Sequence, residues 1–241
     1  MYVSHGTHTT PCQARRNTVA PIDLSNSDEI AAYLRNCHPP SGPHSPLILD
    51  RLCQVFGRMV SLHSKVYYLR FDVRFPQTML VPTDNGLIRR FAETFTSLLR
   101  ELKRDPRYLW TREQKSVDRH QHYHFVLLLN GHRAKSLQRY IRLAEGIWRC
   151  TLGWPSDEEV MPCNPEILEE DSGDGPNDGL IDDCSQRRKQ FKWDNGIMIR
   201  KDHSDCLEKL VYCYCWAVYL AKLRDKGLAP PRTREVGYSL Y

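Results

Sequence analysis

Residues Arg107–Asn130 read RYLWTREQKSVDRHQHYHFVLLLN. Two runs of strand-forming residues, RYLWTREQ and HYHFVLLLN, flank a polar turn around Ser116–Arg119, which predicts an antiparallel hairpin. Upstream, Val66–Phe75 reads VYYLRFDVRF. It alternates, with Leu69, Phe71, Val73 and Phe75 on one face and Arg70, Asp72 and Arg74 on the other, the pattern of a half-buried strand with a basic exposed face. Between these strands the period turns helical from Thr83 to Arg104, with Ile88, Phe91, Phe95, Leu98, Leu99 and Leu102 on the buried side. A second helix is predicted over Ala134–Leu152, a short strand at Gly196–Lys201, and a long helix from a Ser204 cap through DCLEKLVYCYCWAVYLAKLRDK. The order β-α-β-β-α-β-α predicts an α+β, ferredoxin-like (split βαβ) antiparallel sheet with helices on one face. The other face is expected to stay open, as a platform for nucleic acid.

Ahead of this body, Ser27 is read as the cap of a short helix, and Ser45-Pro46 opens a second one whose apolar face carries Leu49, Leu52, Val55, Phe56 and Met59. Residues 1–60 thus read as a mobile arm, over 1–21, followed by accessory helices. The body is 61–241.

Charge is distributed unevenly. The chain of 241 residues has a net charge of +5, yet from Thr151 to Gln186 there is no Lys or Arg and there are eleven Asp and Glu. Outside that segment 34 basic residues face 18 acidic ones. A basic body with an acidic insert at about 151–186 fits an anionic partner such as nucleic acid, although scattered surface Lys and Arg would also account for it. Apolar content of 41% excludes a disordered or collagenous chain. No stretch reaches the ~18 apolar residues of a membrane span, and MYVSHGTHTT at the N-terminus has no apolar signal segment, so the expected compartment is the cytoplasm, with no membrane partner. The nine cysteines include no CxxC pair and read as reduced thiols.

His122 and His124 are two apart on a strand and therefore project to one face. Convergent imidazoles suit a divalent metal, and the hairpin brings Glu113 near enough to complete a site of two histidines and one carboxylate. Two solvated surface histidines are the alternative, and Gln114 competes with Glu113, since a shift of one residue exchanges their faces. Tyr219 and Lys222, three apart, are neighbours on a helix face and offer a nucleophile with a cationic helper. An aromatic stripe at that spacing is also common core packing.

An apolar strand with His122-Tyr123-His124 running into FVLLLN, followed downstream by Tyr219-x-x-Lys222, resembles the HUH endonucleases, the rolling-circle replication initiators and their relatives. VYYLRFDVRFP, the WTREQ…HYHFVLLLN hairpin, VYLAK and RTREVGYS resemble more closely the replication proteins of filamentous phages and prophages, the inovirus or YagK/YfjJ-type family, over roughly residues 60–241. The resemblance implies an HUH-type nuclease domain over 61–241. It implies Mg2+ or Mn2+ on His122, His124 and Glu113, with Tyr219 as nucleophile and Lys222 as its helper. Arg70, Arg74, Arg112 and Lys201 are expected to contact DNA. The implied activity is nicking and rejoining of single-stranded or hairpin origin DNA through a 5′-phosphotyrosine, with a host helicase and polymerase as partners, since the chain has no P-loop pattern. The alternative is a catalytically idle prophage DNA-binding protein on the same fold. Tyr212 and Tyr214 do not match the spacing of two-tyrosine initiators, which favours a single tyrosine. The acidic insert before the last strand departs from the family's usual arrangement.

Overall fold

The structure is a computed structural model that describes residues 22–37, 42–117, 119–134, 136–153, 179–184 and 192–239. The arm read over residues 1–21 and most of the acidic insert lie outside the described residues. The described elements are α1 (Ser27–Cys37), α2 (Pro46–Leu62), β1 (Lys65–Val73), α3 (Gly86–Glu101), β2 (Arg107–Glu113), β3 (His122–Asn130), α4 (Leu137–Leu152), β4 (Ile181–Asp182), β5 (Ile197–Arg200), α5 (Cys206–Ala217) and β6 (Val236–Tyr238).

The strands form one six-stranded antiparallel sheet in a mixed α+β fold. Its order is β4-β1-β3-β2-β6, and β5 pairs with β1 along the same edge as β4. Asn195 bridges the gap between those two short strands: its side chain both accepts from the Arg70 N–H and donates to the Arg70 carbonyl. The backbone of β1 is therefore hydrogen-bonded there in place of a strand neighbour.

The caps follow local chemistry. Ser45 Oγ accepts from the Ile48 N–H and Pro46 occupies the first turn of α2, as the sequence predicts. Asn26, and not Ser27, caps α1, since its side-chain oxygen accepts from the N–H groups of Asp28 and Glu29.

Two expectations change. The sheet has no open face. Leu69, Phe71, Val73, Trp110, Phe125, Leu127 and Leu129 pack with α3 and α4 on one side, while Val66, Tyr68, Leu109, Val126 and Leu128 pack with α1, α2 and α5 on the other. The uninterrupted apolar run of β3 carries this information, because a strand buried on both faces loses its alternation. The helices at 27–62 accordingly share a core with the sheet. The long last helix also ends early. Residues 206–217 are α-helical, Val218–Ala221 tighten into a 3₁₀ turn, and Lys222 is extended, with its backbone bridged to His44.

β6 closes the far edge by lying on Trp110. A Cβ at Gly237 would fall 2.3 Å from Trp110 Cε2, so only glycine fits this approach. Gly237→Ala is expected to cost about 1–3 kcal/mol through overpacking, read as a lower urea midpoint. A wild-type midpoint would show that β6 is not seated on the indole.

Candidate metal centre and tyrosine

The hairpin register places Glu113 opposite His122 and Thr111 opposite His124, and β1 sets Asp72 opposite His124 from the other side. His122 and His124 share the face that carries Val126 and Leu128, which the core fixes against α2 and α5. Register thus gathers three strands' polar ends at one spot beneath the 3₁₀ turn. His124 is bound through both ring nitrogens, Nδ1 to Asp72 Oδ1 at 2.5 Å and Nε2 to Glu113 Oε2 at 2.9 Å. His122 Nε2 lies 3.9 Å from the same Glu113 oxygen. Ligand atoms from Glu113, His122 and His124 all lie within 4.8 Å of one another.

The electrostatics of this cluster are coupled. Burial disfavours the charged Glu113, but the hydrogen bond and charge of His124, reinforced by Lys226, outweigh it and bring its pKa down to about 2. Burial likewise disfavours charge on His124, yet its bonds to Asp72 and Glu113 hold its pKa above the usual histidine value. His122 is the opposite case: burial and the neighbouring His124 push it down to about 4, leaving an unprotonated imidazole at neutral pH.

This donor set fits a divalent cation. Two imidazoles and a carboxylate converge, and Asp72, 1% exposed, is placed to accept the Nδ1 proton of His124 and so present Nε2 as a donor. His122, the most accessible of the three, faces a cleft of about 760 Å³ whose walls include Arg74, Lys115, Arg119 and Arg224.

Tyr219 sits on the 3₁₀ turn above the cluster. Its ring meets the His124 ring edge-on, with centroids 5.3 Å apart. The Arg70 guanidinium and the Lys222 ammonium each lie 4.6 Å from the ring centroid. Tyr219 and Lys222 therefore meet as expected, although through a 3₁₀ turn and not along an α-helical face. Burial first, and then the charge of Glu113, raises the pKa of the Tyr219 hydroxyl, while Arg70 acts in the opposite direction.

The basic residues divide. Arg74 reaches the cleft and is paired with Asp182 at 2.7 Å. Arg70 is not on an exposed face: it is 6% exposed, beneath Tyr219, and donates to the Trp216 carbonyl. Arg112 is 2% exposed and works as a strut, donating to the Thr83 carbonyl, Asn85 Oδ1 and Gln114 Oε1. Lys201 donates to the Ser61 carbonyl beyond β5, which pairs with the opposite end of β1 from Asp72. Alternation explains Arg70. It assigns a strand face but cannot tell whether a helix covers that face. Tyr212 and Tyr214 are engaged elsewhere, with the Trp193 carbonyl and Cys53.

Two residues join the site that sequence reasoning did not place there. The alternation of β1 shows Asp72 but places it on the exposed face, whereas it is 1% exposed. Lys226, whose ammonium lies 2.7 Å from Glu113 Oε1, falls beyond the end of the last helix and carries no motif signal.

Residues 30–148 match the family described as the YagK/YfjJ C-terminal domain. The match begins within α1 and ends within α4, so it includes most of α1, all of α2, and Asp72, Glu113, His122 and His124, but not Tyr219 or Lys226. No curated protein and no solved structure matches the chain.

Proposed function

We propose that this protein is an HUH-type, tyrosine-dependent DNA nickase and strand joiner that initiates rolling-circle replication at a phage or prophage origin. The observation that carries the reading is the seating of Tyr219 against His124, at the edge of a two-histidine, one-carboxylate cluster with a basic cleft beside it. Supporting it, β3 lies between β1 and β2 and is antiparallel to both. This makes β1 and β2 parallel to each other and joined through α3, as the split βαβ unit of the proposed fold requires.

Arg74, Lys115, Arg119 and Arg224 draw the phosphate backbone of single-stranded or hairpin DNA into the cleft. His122, His124 and Glu113 would hold Mg2+ or Mn2+, which would supply Lewis-acid polarisation of the scissile phosphate. Tyr219 Oη attacks phosphorus. The Oη–P bond forms as the P–O3′ bond breaks, the phenol proton is lost to the water of the cleft, and the departing 3′-oxygen takes up a proton. Arg70 and Lys222, over the tyrosine ring, favour the phenolate that develops. Asp72 keeps His124 oriented throughout. The 5′-phosphotyrosine conserves the bond energy, so the 3′-hydroxyl can prime a host polymerase and a later strand's 3′-hydroxyl can reverse the step. A host helicase supplies unwinding.

The test is His122→Ala in a Mn2+-dependent cleavage assay on an origin oligonucleotide. His122 is the least buried ligand, with its side chain 23% exposed, so the fold survives its truncation. Cleavage is expected to fall on the order of 100-fold or more, beyond the effect typical of losing a residue that only supports a ligand. Wild-type cleavage by this variant would remove the metal centre from the account.

A further inference from the structure

The geometry points to Lys226 as a resident cation that makes metal loading of this centre conditional on substrate phosphate. This inference rests on the metal-centre reading above.

Glu113 is the sole anion among the three donors, and it is shared. Its Oε2 faces the histidine pair, while its Oε1 carries the Lys226 ammonium at 2.7 Å. The side chains of the pair are 3% and 5% exposed, so water screens their attraction little. Lys226 is also held in place by its backbone. Its own N–H donates to the Leu223 carbonyl, the preceding Asp225 carbonyl accepts from the Gln114 N–H on the end of β2, and the following Gly227 N–H is bound by Glu235. The ammonium is thus a fixed component of the site.

The other carboxylate is compensated too. Asp72 lies 4.0 Å from Arg70 and 3.9 Å from Arg74, and also holds His124. A two-histidine, one-carboxylate set alone would present one negative charge to a dication. With Lys226 on Glu113, Arg70 on Asp72, and Arg74 shared between Asp72 and Asp182, that charge is already balanced. A dication entering alone therefore meets a centre with no net attraction, and the charge it lacks is the one a phosphodiester brings. Lys226 is a positioning residue here, because it acts on the metal through Glu113.

Coupling of this kind is reciprocal: DNA tightens the metal by the factor by which the metal tightens DNA. The experiment titrates Mn2+ by electron paramagnetic resonance, with and without a saturating single-stranded oligonucleotide, in a Tyr219→Phe background that prevents turnover. Three proteins are compared: this background alone, with Lys226→Met, and with Lys226→Arg. In the background protein, the oligonucleotide is expected to tighten Mn2+ about tenfold or more, within the usual range of coupling. Lys226→Met is expected to bind Mn2+ about tenfold tighter without DNA and to lose most of the DNA-linked gain, while Lys226→Arg keeps the background pattern. A purely structural role would loosen Mn2+ in Lys226→Met, and that result overturns the proposal. So does a background protein whose Mn2+ affinity ignores DNA, which decides the matter even if Lys226→Met fails to fold. Mn2+ binding by none of the proteins, with or without DNA, would overturn the metal-centre reading itself.

Discussion

Tyr219→Phe is expected to leave the protein folded and its metal centre intact while strand cleavage falls on the order of 10⁴-fold or more, the scale seen when a covalent nucleophile is removed. The asymmetry follows from how the side chain is held. The ring packs edge-on to His124 and carries Arg70 and Lys222 on its faces, and phenylalanine preserves these contacts. Among the described residues no hydrogen bond holds its hydroxyl, so deletion leaves no buried partner unpaired. The urea midpoint and Mn2+ affinity should therefore match wild type within error, with only cleavage lost. Retained cleavage would move the nucleophile elsewhere, and Tyr212 and Tyr214 are poor substitutes because both hydroxyls are engaged away from the cleft.

Glu113→Ala is expected to have the largest effect on stability, about 3–5 kcal/mol, because it strands buried cations. Lys226 loses its partner at 2.7 Å, and His124 loses one of its two. The effect should depend on pH in the metal-free protein, measured in EDTA. Glu113 has a folded pKa of about 2, below its unfolded value near ~4.3, so its contribution is present above the unfolded value and is lost as pH falls through the folded one. His124 is raised, so its contribution is present below its unfolded value near ~6.5 and is lost as pH rises through the higher folded one. The gap between wild type and Glu113→Ala is therefore widest around pH 5–6 and narrows towards pH 2. Urea titrations across that range measure it. A gap that does not change with pH would mean that Glu113 is not held ionised by His124 and Lys226.

The hairpin was legible because its determinants are local. One turn joins RYLWTREQ to HYHFVLLLN, and the register it sets puts Glu113, not Gln114, opposite His122. The Ser45-Pro46 start of α2 was legible for the same reason. What stayed hidden depends on distant partners. The face of β1 bearing Arg70 and Asp72 reads as solvent until α2 and α5 cover it, and only the unbroken FVLLL of β3 announces that cover. The end of α5 at Ala217 was equally hidden. The apolar period continues through VYLAK, while the Ser45 N–H donates to the Ala221 carbonyl and the Leu223 N–H to that of Pro43, drawing the chain out of the helix. Lys226 follows from that turn, since a continued helix would have carried it away from Glu113.

The most direct test of the central claim is to incubate the protein with end-labelled single-stranded origin DNA and Mn2+, separate the products on a denaturing gel, and locate any protein–DNA bond by mass spectrometry. The account predicts a metal-dependent covalent adduct whose 5′-phosphate is attached to Tyr219, with a matching free 3′-hydroxyl fragment. Salt-sensitive binding without an adduct, or cleavage with no covalent intermediate, would contradict it.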